Sequence, residues 1–318
     1  MNTVNINRLI WCALLASVSL IPGAPAHAQF RSVESCVKPI LTVANVYSMD
    51  ISPSGTRLAV LYLNSSGALR LLSVIDLASR EFETFDLREI DPDSNRRPVS
   101  PIAVRWGEDN QHLLYLDNAG GQIKQLNIPL RQVKSVAKCP KCESFATHPN
   151  GFTAIMRRTA QSQRTGLYRL EVSSPYDGLP RKAVVNNLPG GDIEFSPDGS
   201  KLAYLVLDRQ PGAVIEYVIR GIDLHSGAVF TTSYRTLRPA WVSDTAILVA
   251  DTESLTLWQY DIVSHAQSTF ATFKTENSED QWIAGTAYQS GGRYLAFFTE
   301  GAGLNVYVAD LMCMTMHK

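Results

Sequence analysis

The sequence predicts an all-β protein: a six-bladed β-propeller built of four-stranded antiparallel blades. Three observations predict it. A strand–turn–strand unit recurs six times along the chain. Its spacing stays near the length of one propeller blade. No segment of the expected mature chain carries an amphipathic helical pattern, while short β-branched and aromatic runs alternate with Gly, Asn, Asp and Ser.

Residues 1–28 read as a secretory leader. Arg8 gives a positive n-region, Leu9 to Ile21 a short apolar run, and Ala26-His27-Ala28 a small-x-small cleavage site. The mature chain is therefore expected to begin at Gln29. The apolar run falls short of the about 20 residues that span a bilayer, and Pro22, Gly23 and Pro25 would break a helix continued beyond it. Export to the periplasm follows, with no membrane insertion after leader cleavage. Residues 29–48 form a lead-in segment expected to close the ring, and residues 49–318 the propeller itself.

The clearest repeat is Phe195-Ser196-Pro197-Asp198-Gly199, followed by Lys201-Leu202-Ala203-Tyr204. Pro presets φ at one turn position and Gly supplies φ > 0 at another, so the string reads as strand, tight turn, strand. Ile51-Ser52-Pro53-Ser54-Gly55 with Arg57-Leu58-Ala59-Val60 is a near copy. Looser copies are Trp106-Gly107-Glu108-Asp109-Asn110, Thr147-His148-Pro149-Asn150-Gly151, Trp241-Val242-Ser243-Asp244-Thr245 and Tyr288-Gln289-Ser290-Gly291-Gly292. The turn-closing residues 55, 110, 151, 199, 245 and 292 are spaced by 55, 41, 48, 46 and 47. Third strands end in Asp plus an aliphatic residue, as in Asp76-Leu77, Asp223-Leu224, Asp261-Ile262 and Asp310-Leu311. Fourth strands follow at Glu81 to Leu87, Val229 to Tyr234 and Gln267 to Phe273.

The Ser-Pro-Asp-Gly turn, the Lys-Leu-Ala-Tyr strand and the Asp-Leu strand end resemble the propeller repeat of TolB. They are also similar to the propeller domains of prolyl oligopeptidases and dipeptidyl peptidases. The resemblance covers residues 49 to 311 and implies architecture more than activity, because one fold hosts many functions. The α/β domain that precedes the TolB propeller has no room in the lead-in segment. The hydrolase domain of the peptidases has no counterpart either, and no Gly-x-Ser-x-Gly elbow occurs.

Charge excludes two classes of partner. The chain holds 29 Lys plus Arg and 30 Asp plus Glu. Removing the leader takes away only Arg8, leaving a net charge of −2. Such a balance gives no electrostatic case for nucleic acid or for an anionic membrane surface.

Four cysteines remain after the leader, an even number in an oxidising compartment. Cys139-Pro140-Lys141-Cys142 admits three chemistries. A redox pair needs a helix N-terminus to lower a thiol pKa, and none follows. A structural zinc needs four ligands, and only His148 lies near in sequence. A disulfide would staple the passage from blade two to blade three and is the expected state. Cys36 and Cys313 then flank the ring on either side, and a bond between them would clasp its first and last blades. Of the histidines beyond the leader, His112, His148, His225, His265 and His317, none pairs with another at ligand spacing. No Ser-His-Asp set and no phosphate-binding glycine loop is legible, so no catalytic residue, metal or cofactor is expected. The aromatic residues Trp106, Phe195, Trp241 and Tyr288 share one repeat position and are expected to be packed between blades.

One segment departs from the period. Residues 88–98, with Arg96 and Arg97, lengthen the first repeat to 55 residues. Connections of this kind share a face with the loops Thr159 to Gly166, carrying Arg164, and Asp208 to Gly212, carrying Arg209. The four arginines read as a recognition surface around that mouth of the channel, since long loops on a rigid scaffold are where binding concentrates. The expected function is a non-enzymatic periplasmic scaffold that binds a peptide, a protein or an envelope component. One alternative is a stand-alone propeller derived from, or partnering, a prolyl-oligopeptidase-like peptidase. The other is a propeller lyase or lactonase with its site in the central channel.

Overall fold

The computed structural model describes residues 30–31, 34–67, 69–95, 99–158, 168–173, 182–188, 191–208, 216–232, 239–250, 254–273, 281–301 and 304–316. Six antiparallel sheets stand around a common axis as the blades of a propeller. The chain opens with two strands that belong to the last blades, β1 (Phe30–Arg31) and β2 (Val37–Thr42). Blade one is β3 (Asn45–Ile51), β4 (Arg57–Leu63), β5 (Arg70–Asp76) and β6 (Phe82–Phe85). Blade two is β7 (Pro101–Trp106), β8 (His112–Asp117), β9 (Gln122–Asn127) and β10 (Gln132–Lys138). Blade three is β11 (Cys142–Thr147), β12 (Thr153–Arg158), β13 (Tyr168–Ser173) and β14 (Lys182–Leu188). Blade four is β15 (Ile193–Phe195), β16 (Lys201–Asp208), β17 (Glu216–Asp223) and β18 (Val229–Thr231). Blade five is β19 (Ala240–Ser243), β20 (Ala246–Ala250), β21 (Thr256–Asp261) and β22 (Gln267–Thr272). Blade six is β23 (Gln281–Tyr288), β24 (Tyr294–Gly301) and β25 (Asn305–Asp310), completed by β2.

The repeat turn works as its residues dictate. Gly55 and Gly199 take φ of +70° and +72°, a region open to Gly without a Cβ penalty. The hydroxyls of Ser52 and Ser196 accept the backbone N–H of Arg57 and Lys201 at 3.0 and 2.9 Å, closing the turn with a side chain. In blade six the left-handed residue is Gly291, one position earlier than the expected Gly292. The strand-ending aspartates form a second repeated turn. Asp76, Asp223, Asp261 and Asp310 each accept two backbone N–H groups, from the second and third residues beyond them. This is the Asx geometry that explains why Asp recurs there.

Apolar residues gather at the seams between blades. One cluster joins Leu61 and Phe85 of blade one to Tyr115 and Leu126 of blade two. Others join blades two and three through Leu116 and Phe145, three and four through Met156 and Leu202, and four and five through Ile219 and Trp241. Blades five and six meet at Leu257 and Phe297, and blades six and one at Phe298 and Met49. Each blade therefore buries both of its faces, and no single blade has a core of its own.

The ring closes by pairing the start of the chain with its end. β2 runs antiparallel to β25, with Val37 opposite Ala309 and Thr42 opposite Asn305. Cys36 and Cys313 sit at the same joint at disulfide distance, their Cα atoms 5.6 Å apart. Cys139 and Cys142 lie at disulfide distance between β10 and β11, Cα atoms 5.5 Å apart. Blade five gains a fifth strand, because β1 pairs parallel to β22 along its outer edge. Two short α-helices among the described residues also depart from the all-strand reading. Residues 87–90 make one turn, capped by the Asp86 carboxylate on the N–H of Arg88. Residues 311–316 carry Cys313 and bury Leu311 and Met314 against blades five and six. Both helices are shorter than two turns, too short to print a helical period on the sequence.

Candidate functional site

The innermost strands β3, β7, β11, β15, β19 and β23 surround the axis. A cavity of about 360 Å³ opens where they end, on the side of the Ser-Pro-x-Gly turns. Its wall takes an aromatic residue from each of five blades, Phe152 of blade three beside the repeat-position residues Trp106, Phe195, Trp241 and Tyr288, together with the carboxylate residues Asp50, Glu108 and Glu194. Trp106, Phe195 and Trp241 are buried and Tyr288 partly so, which agrees with packing between blades and adds an edge on the cavity. The two indoles are fixed the same way. Trp106 Nε1–H donates to the Asp50 carbonyl at 3.0 Å and Trp241 Nε1–H to the Glu194 carbonyl at 3.3 Å. Burial raises the Tyr288 phenol above its ordinary pKa, so it stays neutral at physiological pH.

One buried cation lies among the inner strands. Arg105, on β7, is 2% exposed. Its guanidinium donates to Ser48 Oγ at 3.2 Å and to the Val104 carbonyl at 2.8 Å. It reaches the Ile193 carbonyl of blade four at 3.2 Å. Asp192 and Glu194 lie 3.8 and 3.9 Å from it, and the Phe145 ring of blade three is 5.9 Å from the guanidinium carbon. Asp192 is itself held by Ser144 Oγ at 3.2 Å. One side chain thus ties four blades together.

These channel residues were not singled out from the sequence, yet a signal existed. Asp50, Arg105 and Glu194 each stand immediately before the repeat turn, where blades three, five and six have Ala146, Ala240 and Ala287. A charge where the repeat elsewhere holds alanine marks a residue that faces something other than a neighbouring blade.

The arginines expected to bind, Arg96, Arg97, Arg164 and Arg209, all lie outside the described residues. The insertion that carries the first two is visible on either side of them. Pro101 begins β7 and Trp106 ends it at the cavity, so this connection leaves from the opposite end of the inner strand. What is described of the insertion is fastened to blade two. Lys124 Nζ, 1% exposed, donates to the buried Asp91 at 2.6 Å and to Asp93 at 2.9 Å, with Asp117 at 3.8 Å. Tyr115 donates to Asp91 at 2.7 Å, and its burial beside that carboxylate pushes the phenol far above its ordinary pKa. Asp117 accepts the N–H of Ser100 at 3.0 Å, which fixes the far end of the insertion.

Zinc at Cys139 and Cys142 would need further ligands, and His148 does not supply one. It lies beyond the opposite end of β11 from Cys142, and its Nε2 is 2.8 Å from the Pro197 carbonyl. A carbonyl only accepts, so His148 carries its proton on Nε2, and Nδ1 accepts the N–H of Asn150 at 3.3 Å. Among the described residues no three His, Cys, Asp or Glu side chains gather as a metal donor set. No helix among them is long and apolar enough to cross a membrane.

No family model and no curated protein matches the sequence. Solved structures do match. TolB from Acinetobacter baumannii aligns at 11% identity over 81% of this chain and 64% of that chain, with a TM-score of 0.51. The fold is that of the TolB propeller. Regucalcin from Agrobacterium tumefaciens str. C58, described as a calcium-binding protein, aligns at 10% identity over 89% of this chain and 96% of that one, with a TM-score of 0.57. A chain of the nidogen–laminin complex aligns at 10% identity over 71% and 80%, with a TM-score of 0.51. At such identities the likeness to TolB, regucalcin and nidogen–laminin concerns the fold alone.

Proposed function

We propose that this TolB-like propeller is a non-enzymatic recognition protein, exported to the periplasm, that binds a peptide or protein of the cell envelope at the mouth of its channel. The observation that carries this reading is the cavity at the ends of the inner strands. It is concave, rigidly walled and of the size that holds a small ligand or a few side chains. Three of its polar groups are engaged in holding the ring. Both indole N–H groups are spent on carbonyls, and His148 is committed to Pro197. The fold likeness to TolB and to a chain of the nidogen–laminin complex is in keeping with a protein-binding role.

A second reading is a channel-centred propeller lactonase; the likeness to a protein described as calcium-binding is in keeping with a metal at such a site. Such chemistry draws on several acids or histidines around a metal, and the described residues do not bring three together. The two readings separate in one experiment. Mature protein, residues 29–318, is used to capture partners from native envelope, beside a Glu108→Lys variant, and both are assayed for lactone hydrolysis with added calcium or zinc. Capture of an envelope protein or peptide that the variant loses supports the recognition reading. Turnover of a lactone, or capture unaffected by the variant, overturns it. A peptidase as the captured partner supports the prolyl-oligopeptidase relationship within the same reading.

A further inference from the structure

The lead-in segment is strapped along the outer edges of blades five and six. We propose that the Cys36–Cys313 pair is a redox-released lock on this strap. Exchange with an external dithiol frees residues 30–42 from the ring, while the Cys139–Cys142 pair stays closed. This goes beyond the recognition reading and needs no ligand in the cavity.

Three observations carry it. First, the strap is held weakly apart from the bond. β1 pairs with β22 through Phe30 and Arg31 alone. β2 pairs with β25, but its register shifts between Pro39 and Leu41, and Pro39 has no N–H to give the ladder. Between Ser35 and Thr42 only Cys36 and Val37 are buried, and Ile40 and Leu41 partly so. A segment with few buried apolar contacts opens locally at low free energy. Second, the other end of the bond is anchored. Leu311 and Met314 are buried in the core shared by blades five and six. The Asp310 carboxylate, itself paired with Arg293, accepts the N–H of Met312 at 3.1 Å and of Cys313 at 3.3 Å. Opening the bond therefore moves the strap and leaves the helix in place. Third, the two cysteine pairs differ in access. Cys313 is partly exposed beside Met312, whereas Cys36, Cys139 and Cys142 are buried.

Thiol–disulfide exchange needs a thiolate to reach a sulfur, and Cys313 is the cysteine it meets first. The incoming thiolate bonds to Cys313 Sγ as the Cys36–Cys313 bond breaks, and Cys36 leaves as a thiolate. The second thiol of the reductant then displaces Cys313. The external dithiol ends as a disulfide, and both protein cysteines end reduced. The consequence also differs between the pairs. Cys139 and Cys142 are three residues apart, and the Cys142 N–H donates to the Cys139 carbonyl at 3.2 Å, so a backbone bond closes that turn as well. Cys36 and Cys313 are 277 residues apart, and their bond ties the strap covalently to the far side of the joint. Release stops at Val43, whose N–H donates to the Leu304 carbonyl at 3.1 Å. It uncovers the outer edge of β25, which β2 otherwise occupies.

The test treats oxidised mature protein with graded dithiothreitol in the absence of denaturant, traps free thiols with N-ethylmaleimide and maps them by peptide mass. Cys36 and Cys313 are expected to label together, at least about tenfold faster than Cys139 and Cys142. Amide hydrogen exchange on the same samples is expected to show residues 37–42 losing protection at least about tenfold while blade one keeps its own. Cys36→Ser with Cys313→Ser should reproduce that loss without reductant, and Cys139→Ser with Cys142→Ser should not. Should a serine variant fail to fold, the reduced wild type decides. Equal or faster labelling of Cys139 and Cys142 overturns the proposal, as does failure of Cys36 and Cys313 to label. So does a reduced pair whose strap stays protected, or a loss of protection across all six blades, which would make the bond a support of the whole fold.

Discussion

The two faces of the ring are held together by different means. On the cavity face the same short-range contacts recur from blade to blade. Asp76, Asp223, Asp261 and Asp310 each accept amides two and three residues away, and Ser52 and Ser196 each accept the amide five residues on. On the opposite face one contact set occurs once. Lys124 joins Asp91 and Asp93, which lie 33 and 31 residues earlier, and Asp117 holds Ser100 across 17 residues. The difference teaches where this fold spends charge. Partly exposed carboxylates serve local turns. Buried ones, packed against a single ammonium, fasten the segment that breaks the repeat.

The largest expected effect breaks the second arrangement. Lys124→Met leaves Asp91 and Asp117 buried without their cation. Removing one partner of a buried charge set costs about 3–5 kcal/mol. Urea denaturation of mature wild type and variant measures it. A loss below about 1 kcal/mol would mean that the two faces do not differ as described. Asp91→Asn in the same chain removes one stranded charge and is expected to recover part of the loss.

How much of this was legible follows the same division. The repeat turns, the strand order and the six blades could be read because their signals are local: Gly at a left-handed position, Pro before it, Asp at a strand end. The channel and the insertion could not be read that way. Arg105 finds its partners in blades one and four, 57 and 88 residues away. Lys124 looks like any alternating strand residue until the ring brings Asp91 beside it. The sequence also pointed to the wide loop as the place to bind, because length and arginines are visible in one dimension. A cavity formed by the ends of inner strands from several blades is not.

A smaller effect compares two copies of the repeated turn. Gly55 and Gly199 share φ near +70°, so an alanine at either pays the same left-handed penalty, about 1–2 kcal/mol. Their surroundings differ. A Cβ on Gly55 meets nothing within 4 Å, while one on Gly199 meets Asn150 Nδ2 at 2.9 Å and the His148 ring at 3.0 Å. Gly199→Ala should therefore cost more than Gly55→Ala. The excess isolates the contact between blades three and four, and thermal melts of the two variants side by side measure it. Equal costs would show that the turn alone matters.

The aspartate turns carry a weaker and pH-dependent contribution. The amide of Ser79 lowers the Asp76 pKa, the amide of Ser226 that of Asp223, and the Arg293 guanidinium that of Asp310. A carboxyl whose folded pKa lies below its unfolded value adds stability that is complete above about pH 4 and lost as pH falls through the folded pKa. These groups are largely exposed, so screening holds the sum to about 1 kcal/mol. Urea midpoints are expected to be level from pH 7 to 5 and to drop below pH 4. Asp76→Asn with Asp223→Asn should flatten that drop. An unchanged drop would show that these turns do not carry it.

The smallest expected effect on stability decides between the faces as sites of recognition. Arg96→Ala with Arg97→Ala alters the insertion beyond the part that Asp91 and Asp93 fasten. Substitutions that touch no core, cap or buried pair shift stability by no more than about 0.5 kcal/mol. The double variant should therefore melt with wild type. If recognition belongs to the cavity, it should also capture the envelope partner with unchanged affinity, while E108K does not. A guanidinium pair suits a carboxylate or phosphate. Loss of capture in the arginine variant with E108K intact would move the binding surface to the insertion and its anionic ligand. Retention would leave the insertion as a fastened extension of blade two, and the channel mouth as the place where the ring meets its partner.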